Sequence, residues 1–450
     1  MSALDVGTAP GRRSGARGQA PQAPLGKNVA NPSTALTAAE RRADRYRLRR
    51  VLWEVSGLAG VRKCGRVSRT GEGGPTLRIT GPEGSRVAGY AGLVSCGVMS
   101  CPCCASKVGA RRAAEIETVV ERVHAEGGSA ALITLTARHH SGLSLVSTVE
   151  AVTYAWGRVT SGAAYAAEVA RYGITGWVCV LETTHSEAAG FHPHRHALVL
   201  FDSPMSQEMV EELAGAWFER WRRGLVRYGC PDAEDNGKTT HRRCSESCRS
   251  VYEPIAGKGG LDVRRADGPG VLGSYLSKIQ LELSGSAHKR GRGGCTRIGQ
   301  PGHECDGRCP TASRTPFQIL ADFAATGNAD DWDLFAEYER AMPRRRTMTW
   351  SVGTRERYGV EIITDDEIVE DDMGGEDTLV LPRESWREIR NHSEELLTAA
   401  ERDGASGAIV WLNDRGLSWS WATPFKRLPP PPGPRVAPGS RALLALGMTA

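Results

Sequence analysis

The chain has 450 residues, more than one ordinary small domain holds, so two or three units with tails are expected. Hydrophobic residues at 40% and charged residues at 24% are globular values, and the absence of any eighteen-residue apolar run excludes a membrane span. The net charge of +5 permits a nucleic-acid partner without requiring one.

Residues 1–33 are rich in Gly, Ala, Pro and Arg and nearly free of large apolar side chains. Such a segment buries too little surface to offset its ordering entropy, so a disordered basic tail is expected. No hydrophobic stretch follows basic residues there, so a cytoplasmic location is expected. In that reducing compartment twelve cysteines point to metal rather than to disulfides. Thr37 with Glu40 is a capping-box pattern and opens a helix carrying six arginines around Tyr46, Leu48, Val51 and Leu52. This helix reads equally as a solvated amphipathic element or as an arm whose Arg41, Arg42, Arg45 and Arg49 touch a DNA backbone.

The Gly-rich stretch 60–110 holds five cysteines. Cys101 and Cys104 have the spacing at which one tight turn brings two thiolates to a tetrahedral ion, and Cys96 and Cys64 complete four sulfurs. Four thiolates leave no open coordination position, so a structural Zn²⁺ is expected there, with Cys103 as the spare. Helical spacing follows over 111–127, then a strand, ALITLT, at 131–136, a helical region at 146–170, and two strand-like runs at 174–184 and 195–201. The short link between the last two suggests antiparallel neighbours, and a helix at 205–226 comes next. This order predicts an α+β fold with an antiparallel sheet.

Within FHPHRHALVLF (191–201) histidines alternate at 192, 194 and 196. Residues two apart on a strand share a face, so His194 and His196 can grip one ion, with His192 as a further candidate. Glu182, at the end of the preceding run VCVLE, can supply a carboxylate across the hairpin. Two imidazoles, a carboxylate and open positions suit a catalytic Mg²⁺ or Mn²⁺. Farther on, Cys244 and Cys248, and Cys305 and Cys309, form two arms that could close over a second zinc; solvated thiols are the alternative.

Residues 270–283 read as a short helix with Tyr275, Lys278 and Glu282 on one face. A phenol with a pKa of about 10 is a poor nucleophile at neutral pH. A divalent ion on a scissile phosphate and a lysine beside the phenolate remove that deficit. Lys289, Arg290 and Arg292 follow as DNA-backbone candidates. An acidic stretch at 361–377 reads as a linker, and LPPPPGPRVAPGS as a polyproline-type tail.

Taken in order, ALITLT, HPHRHALVLF and GSYLSK resemble the three motifs of the HUH endonucleases that initiate rolling-circle plasmid replication. The likeness is closest to the Rep proteins of actinobacterial plasmids, where a segment like CGRV…GLVSCGVMSCPCC precedes the first motif, and it covers roughly 60–355. RTPFQIL and DWDLFAEYERAMPRRRTMTW also look like the region beyond the catalytic motif in that group. The resemblance implies an HUH core flanked by helices, origin nicking, and a covalent link between Tyr275 and a 5′ phosphate. It implies His194 and His196 as metal ligands with Glu182 as the third, Lys278 assisting, and Glu282 as the one candidate for water activation. Arg195 departs from the family's hydrophobic residue, and the cysteine insertions lie outside the pattern.

The expected organisation is therefore a tail (1–33), a basic helix with the zinc segment (34–110), a nickase core (111–292) with an insertion near 230–250, and a second insertion (293–313). A helical part (314–360), the linker (361–377), an accessory module (378–425) and a Pro-rich tail (426–450) complete it. The expected partners are plasmid origin DNA, as a single-stranded hairpin with flanking duplex, and host helicase and replication proteins, with no membrane. A mobilisation relaxase or transposase using the same chemistry, and a non-catalytic zinc protein that binds DNA, are the alternative readings.

Overall fold

The computed structural model describes residues 37–69, 73–138, 142–187, 190–230, 232, 239–243, 250–254, 260–266, 314–343, 345–370 and 376–422. The chain divides into two compact units, Met1–Cys64 with Ser95–Glu370 and Gly65–Val94 with Asp371–Ala450.

The first unit opens on α1 (Ala38–Val55), whose capping box is formed in full: the Glu40 amide donates to Thr37 Oγ1 and the Thr37 amide to Glu40 Oε2. The short α2 (Ala59–Lys63) ends at Cys64, and α3 (Pro102–Ala125) begins with Pro102 at its first position, where a missing N–H costs nothing. Strand β3 (Ser129–Thr136) follows, then α4 (Leu145–Val159) and α5 (Gly162–Tyr172). The long strands β4 (Ile174–Ser186) and β5 (Gly190–Phe201) form one hairpin, and α6 (Gln207–Arg227) closes this half. A two-stranded pair, β6 (Thr239–Arg243) and β7 (Ser250–Pro254), precedes β8 (Leu261–Arg265). Then come α7 (Pro316–Thr326), α8 (Ala329–Ala341), β9 (Met348–Trp350), α9 (Thr354–Arg357) and α10 (Asp365–Glu370).

Five of these strands form one antiparallel sheet in the order β8-β3-β5-β4-β9, so the fold class is α+β. The central strands are nearly continuous apolar runs because both of their faces are covered. On one face lie α4 and α6, and there Trp156 packs edge-on against Trp177 and Trp217 with ring centroids 4.9 and 5.8 Å apart. Gly224 lets α6 approach α4 closely, since a Cβ there would meet Ala155 Cα at 2.9 Å.

Residues 361–377 read as a linker from composition alone, yet 365–370 form a helix with Ile368 and Val369 buried. The acidic charge there is used. Arg112 of α3, 6% exposed, donates to both carboxylate oxygens of Glu115 at 2.8 Å and to Asp365 at 2.7 Å.

The second unit holds a four-stranded antiparallel sheet in which β1 (Thr76–Thr80) is flanked by β2 (Val87–Ala91) and β10 (Asp377–Val380), with β11 (Ser420–Trp421) beyond. Against it lie α11 (Arg383–Ile389) and α12 (Ser393–Asn413). Trp386 packs edge-on against Tyr90 with centroids 5.0 Å apart and donates its indole N–H to the Arg66 carbonyl. Gly404 interrupts α12 with φ +68°, a conformation that favours glycine. The segment after 378 therefore shares its sheet with strands from 76–91. No described helix is long and apolar enough to cross a membrane.

Candidate metal centre

Cys101 caps the N-terminus of α3, and Cys104 lies one turn inside it, where the helix dipole favours a thiolate. Cys64 arrives from the end of α2 and Cys96 from the loop before α3. The sulfur of Cys104 lies 3.6 Å from those of Cys64 and Cys96, and Cys101 Sγ lies 3.7 Å from Cys64 Sγ. A tetrahedral ion with metal–sulfur bonds of about 2.3 Å has an edge of about 3.8 Å, so the four sulfurs stand almost at ligand spacing. The shared sulfur contacts hold the Cys104 thiol well below the usual range and push those of Cys101 and Cys96 above it, so the four act as one coupled group. Cys103 stays outside the group, its Sγ directed to the Arg45 carbonyl at 3.7 Å.

Arg49 takes a different place from the one expected of a backbone-contacting arginine. It is 5% exposed, stacks over Tyr46 at 4.1 Å and stands 5.6 Å from the Trp53 ring. Burial pulls its pKa down, but Cys103, Tyr46, Cys64 and Cys101 around it raise it overall. Its charge faces thiols inside the fold, so it is withdrawn from the DNA candidates. Arg41 is exposed and Arg42 and Arg45 are half-buried.

The second group lies on the five-stranded sheet. Glu182 of β4 is paired directly with His194 of β5, and His196 stands one row along beside Thr134 of β3. Directly paired residues of an antiparallel sheet point to the same side, so one face collects the carboxylate and both rings. Glu182 Oε2 lies 2.7 Å from His194 Nε2 and 2.8 Å from His196 Nε2. Arg195 projects to the opposite face, where its Nη2 donates to Thr153 of α4 at 2.9 Å. There too burial pushes the Cys179 thiol up to about 11, against the pull of Arg195 beside it.

The outer hydrogen bonds decide what Nε2 can present. The carbonyl oxygen of His192 can only accept, so His194 Nδ1, 3.2 Å away, carries the proton. With Nδ1 engaged, Nε2 is the nitrogen turned toward the Glu182 carboxylate at 2.7 Å, and as a neutral imidazole it can offer its lone pair to a cation placed between them. His196 is oriented by Thr134, whose Oγ1 lies 2.9 Å from its Nδ1. The donor set therefore fits a bound metal ion, with the supporting contacts that orient ligating imidazoles. His192 stands beside the group, its ring centroid 5.1 Å from that of His194, and is not one of the three converging donors.

Thr134 was not anticipated as a site residue; its signal was its place in ALITLT, on the strand face that the histidines share. Tyr275, Lys278, Glu282, Lys289, Arg290 and Arg292 lie outside the described residues, as do Cys244, Cys248, Cys305 and Cys309.

Residues 90–228 match the family described as Replication protein. The chain is 25% identical over 319 residues to "Protein rep" of Streptomyces lividans, covering 60% of this chain and 65% of that one. It is 30% identical over 168 residues to the "Neomycin resistance protein" of Streptomyces cyanogenus, covering 29% of this chain and 38% of that one. The chain thus spans less than two thirds of either relative, and no solved structure matches it significantly. The part of the chain that carries Glu182, His194 and His196 is similar in sequence to the replication protein family.

Proposed function

We propose that this protein initiates rolling-circle replication of a plasmid as a metal-dependent, site- and strand-specific DNA nicking enzyme. The observation that carries this reading is the convergence of two imidazole nitrogens and one carboxylate on an antiparallel sheet, inside the segment similar to replication proteins. A divalent ion, Mg²⁺ or Mn²⁺, bound to His194, His196 and Glu182 would supply Lewis-acid polarisation of the scissile phosphate. Three protein ligands would leave such an ion able to accept phosphate oxygens as well.

Tyr275 is the proposed nucleophile. Its phenolic oxygen forms a bond to phosphorus while the bond from phosphorus to the 3′ oxygen breaks. The phenol gives up its proton, the departing 3′ oxygen takes one up, and a 5′-phosphotyrosine ester remains. Because the bond energy is conserved, attack by a 3′ hydroxyl rejoins strands at termination. Lys278 stabilises the phenolate, and Glu282 is the candidate for activating water. The thiolates of Cys64, Cys96, Cys101 and Cys104 hold Zn²⁺ as a structural ion, and Cys244, Cys248, Cys305 and Cys309 form the candidate second zinc site. Arg41, Arg42, Arg45, Lys289, Arg290 and Arg292 contact the DNA backbone, and host helicase and replication proteins act after the nick.

The test uses a supercoiled plasmid carrying the DNA that flanks the gene. The wild-type protein with Mn²⁺ should give a nicked circle and a denaturant-stable protein–DNA adduct, while Tyr275→Phe and His194→Ala give neither. An adduct with Tyr275→Phe would remove Tyr275 as nucleophile. Nicking by His194→Ala, or in chelator, would remove the metal assignment.

A further inference from the structure

We infer that Arg264 seats a phosphate of the single DNA strand entering the metal site, along a polar strip that crosses the sheet from His194 to β8. The inference rests on the function proposed above and names a binding residue for it. Its basis is the sheet register. Thr134 pairs with His196 on one side and Asp262 on the other, while Leu132 pairs with Leu198 and Arg264. Paired residues share a face, so Asp262 and Arg264 project to the side that carries His194, His196 and Glu182.

Two independent contacts agree with that placement. Arg264 Nε donates to Asp262 Oδ2 at 3.0 Å, which two residues separated by one can do only from the same side of a strand. Leu261 and Val263, the alternate residues, pack against the hydrophobic core. The far face of β8 therefore belongs to the core, and the near face opens to solvent, with the side chains of Asp262 and Arg264 53% and 40% exposed.

The row of Arg264 itself crosses the buried Leu132 and Leu198, and the polar path runs along the neighbouring rows through Thr134 and Thr136. Thr134, Thr136 and His194 are half-buried, and β8 is the last described strand on this side. Two strand spacings separate β5 from β8, about 10 Å, or about three nucleotides at the stacked rise of about 3.4 Å. Asp262 holds the guanidinium through Nε, and a phosphate can accept the paired N–H contact from its two Nη groups. The neighbouring carboxylate offsets the charge, so Arg264 sets the register of the strand more than it attracts it.

The experiment compares Arg264→Ala with Arg265→Ala, which removes the same charge from the next position, on the opposite face. Fluorescence anisotropy with a labelled single-stranded oligonucleotide reads affinity against salt, and nicking of the same plasmid reads kcat and KM. Arg264→Ala should weaken binding about tenfold and flatten the salt slope by about 0.7, raising KM with kcat little changed. Arg265→Ala should bind as wild type, and Arg264→Lys should restore the salt slope but only part of the affinity. Equal losses in the two alanine variants, or wild-type binding by Arg264→Ala, would overturn the inference while leaving the nicking reading intact. A wild-type protein that neither binds single strands nor nicks would overturn both.

Discussion

The four-thiolate group lends itself to a quantitative test, because its sulfurs already stand 3.6–3.7 Å apart in the fold. Cys101 is fully buried and Cys64 and Cys104 are each 3% exposed, so an ion there is bound by the folded state and not by a surface loop. A ligand held at about 1,000 times its dissociation constant stabilises the native state by about 4 kcal/mol. For a unit of this size that corresponds to about 10 °C in melting temperature. Cys101→Ser removes the ligand that caps α3 and should lose about one equivalent of zinc per chain, with a fall of that size in melting temperature. Cys103→Ser is the matched control, since its sulfur faces the Arg45 carbonyl and lies outside the group. The assay is metal analysis by mass spectrometry after gel filtration, paired with scanning calorimetry with and without chelator. The difference between variant and wild type is read, so any metal bound elsewhere in the chain cancels. Equal zinc loss in both variants, or a melting curve that chelator does not move, would refute the assignment.

Thr134→Val removes the hydrogen-bond partner of His196 Nδ1 and should weaken Mn²⁺ binding about 10–100-fold, read by electron paramagnetic resonance titration; unchanged affinity would separate Thr134 from the site. Arg112→Ala leaves the buried Glu115 carboxylate only the half-exposed Arg111 at 3.5 Å and should destabilise the protein by about 2–3 kcal/mol in denaturant titration, whereas a loss under about 1 kcal/mol would contradict the buried pairing. Arg195→Leu should behave differently, because Arg195 Nε and Nη1 have no hydrogen-bond partner among the described residues. Its replacement should cost less than about 1 kcal/mol, and a loss like that of Arg112→Ala would disprove the contrast. Trp217→Ala, fully buried beside Trp156, should cost about 3–5 kcal/mol in the same titration, and a smaller effect would show that α4 and α6 close over the gap.

Much of the first unit was legible because its signals are local. Alternation at His192, His194 and His196 marks a strand face, the Cys101–Cys104 spacing marks a tight turn, and Thr37 with Glu40 marks a helix start. The sheet edges were not. Strand β9 has three residues and β8 has five, too few for periodicity to separate a strand from a turn. In the second unit β1 pairs with β10, so residue 76 meets residue 380, and no local signal foretells that pairing. Loop closure grows only slowly with length, so such pairings are tolerated, but the reason they form lies in the partner strand.

The unread edge bears directly on the proposed function. LDVRR alternates apolar and charged residues, which after the fact is the pattern of a half-exposed strand. What the pattern could not supply was the partner. Only the pairing of Thr134 with His196 on one side and Asp262 on the other aligns that charged face with the histidines. The sequence thus names the donors of the candidate metal group through local spacing, whereas the proposed approach to it is written in the register between residues 62 and 128 positions apart, Thr134 with His196 and with Asp262. The donors of such a group can be read from motifs, and the residues that flank it across the strands must be read from the sheet.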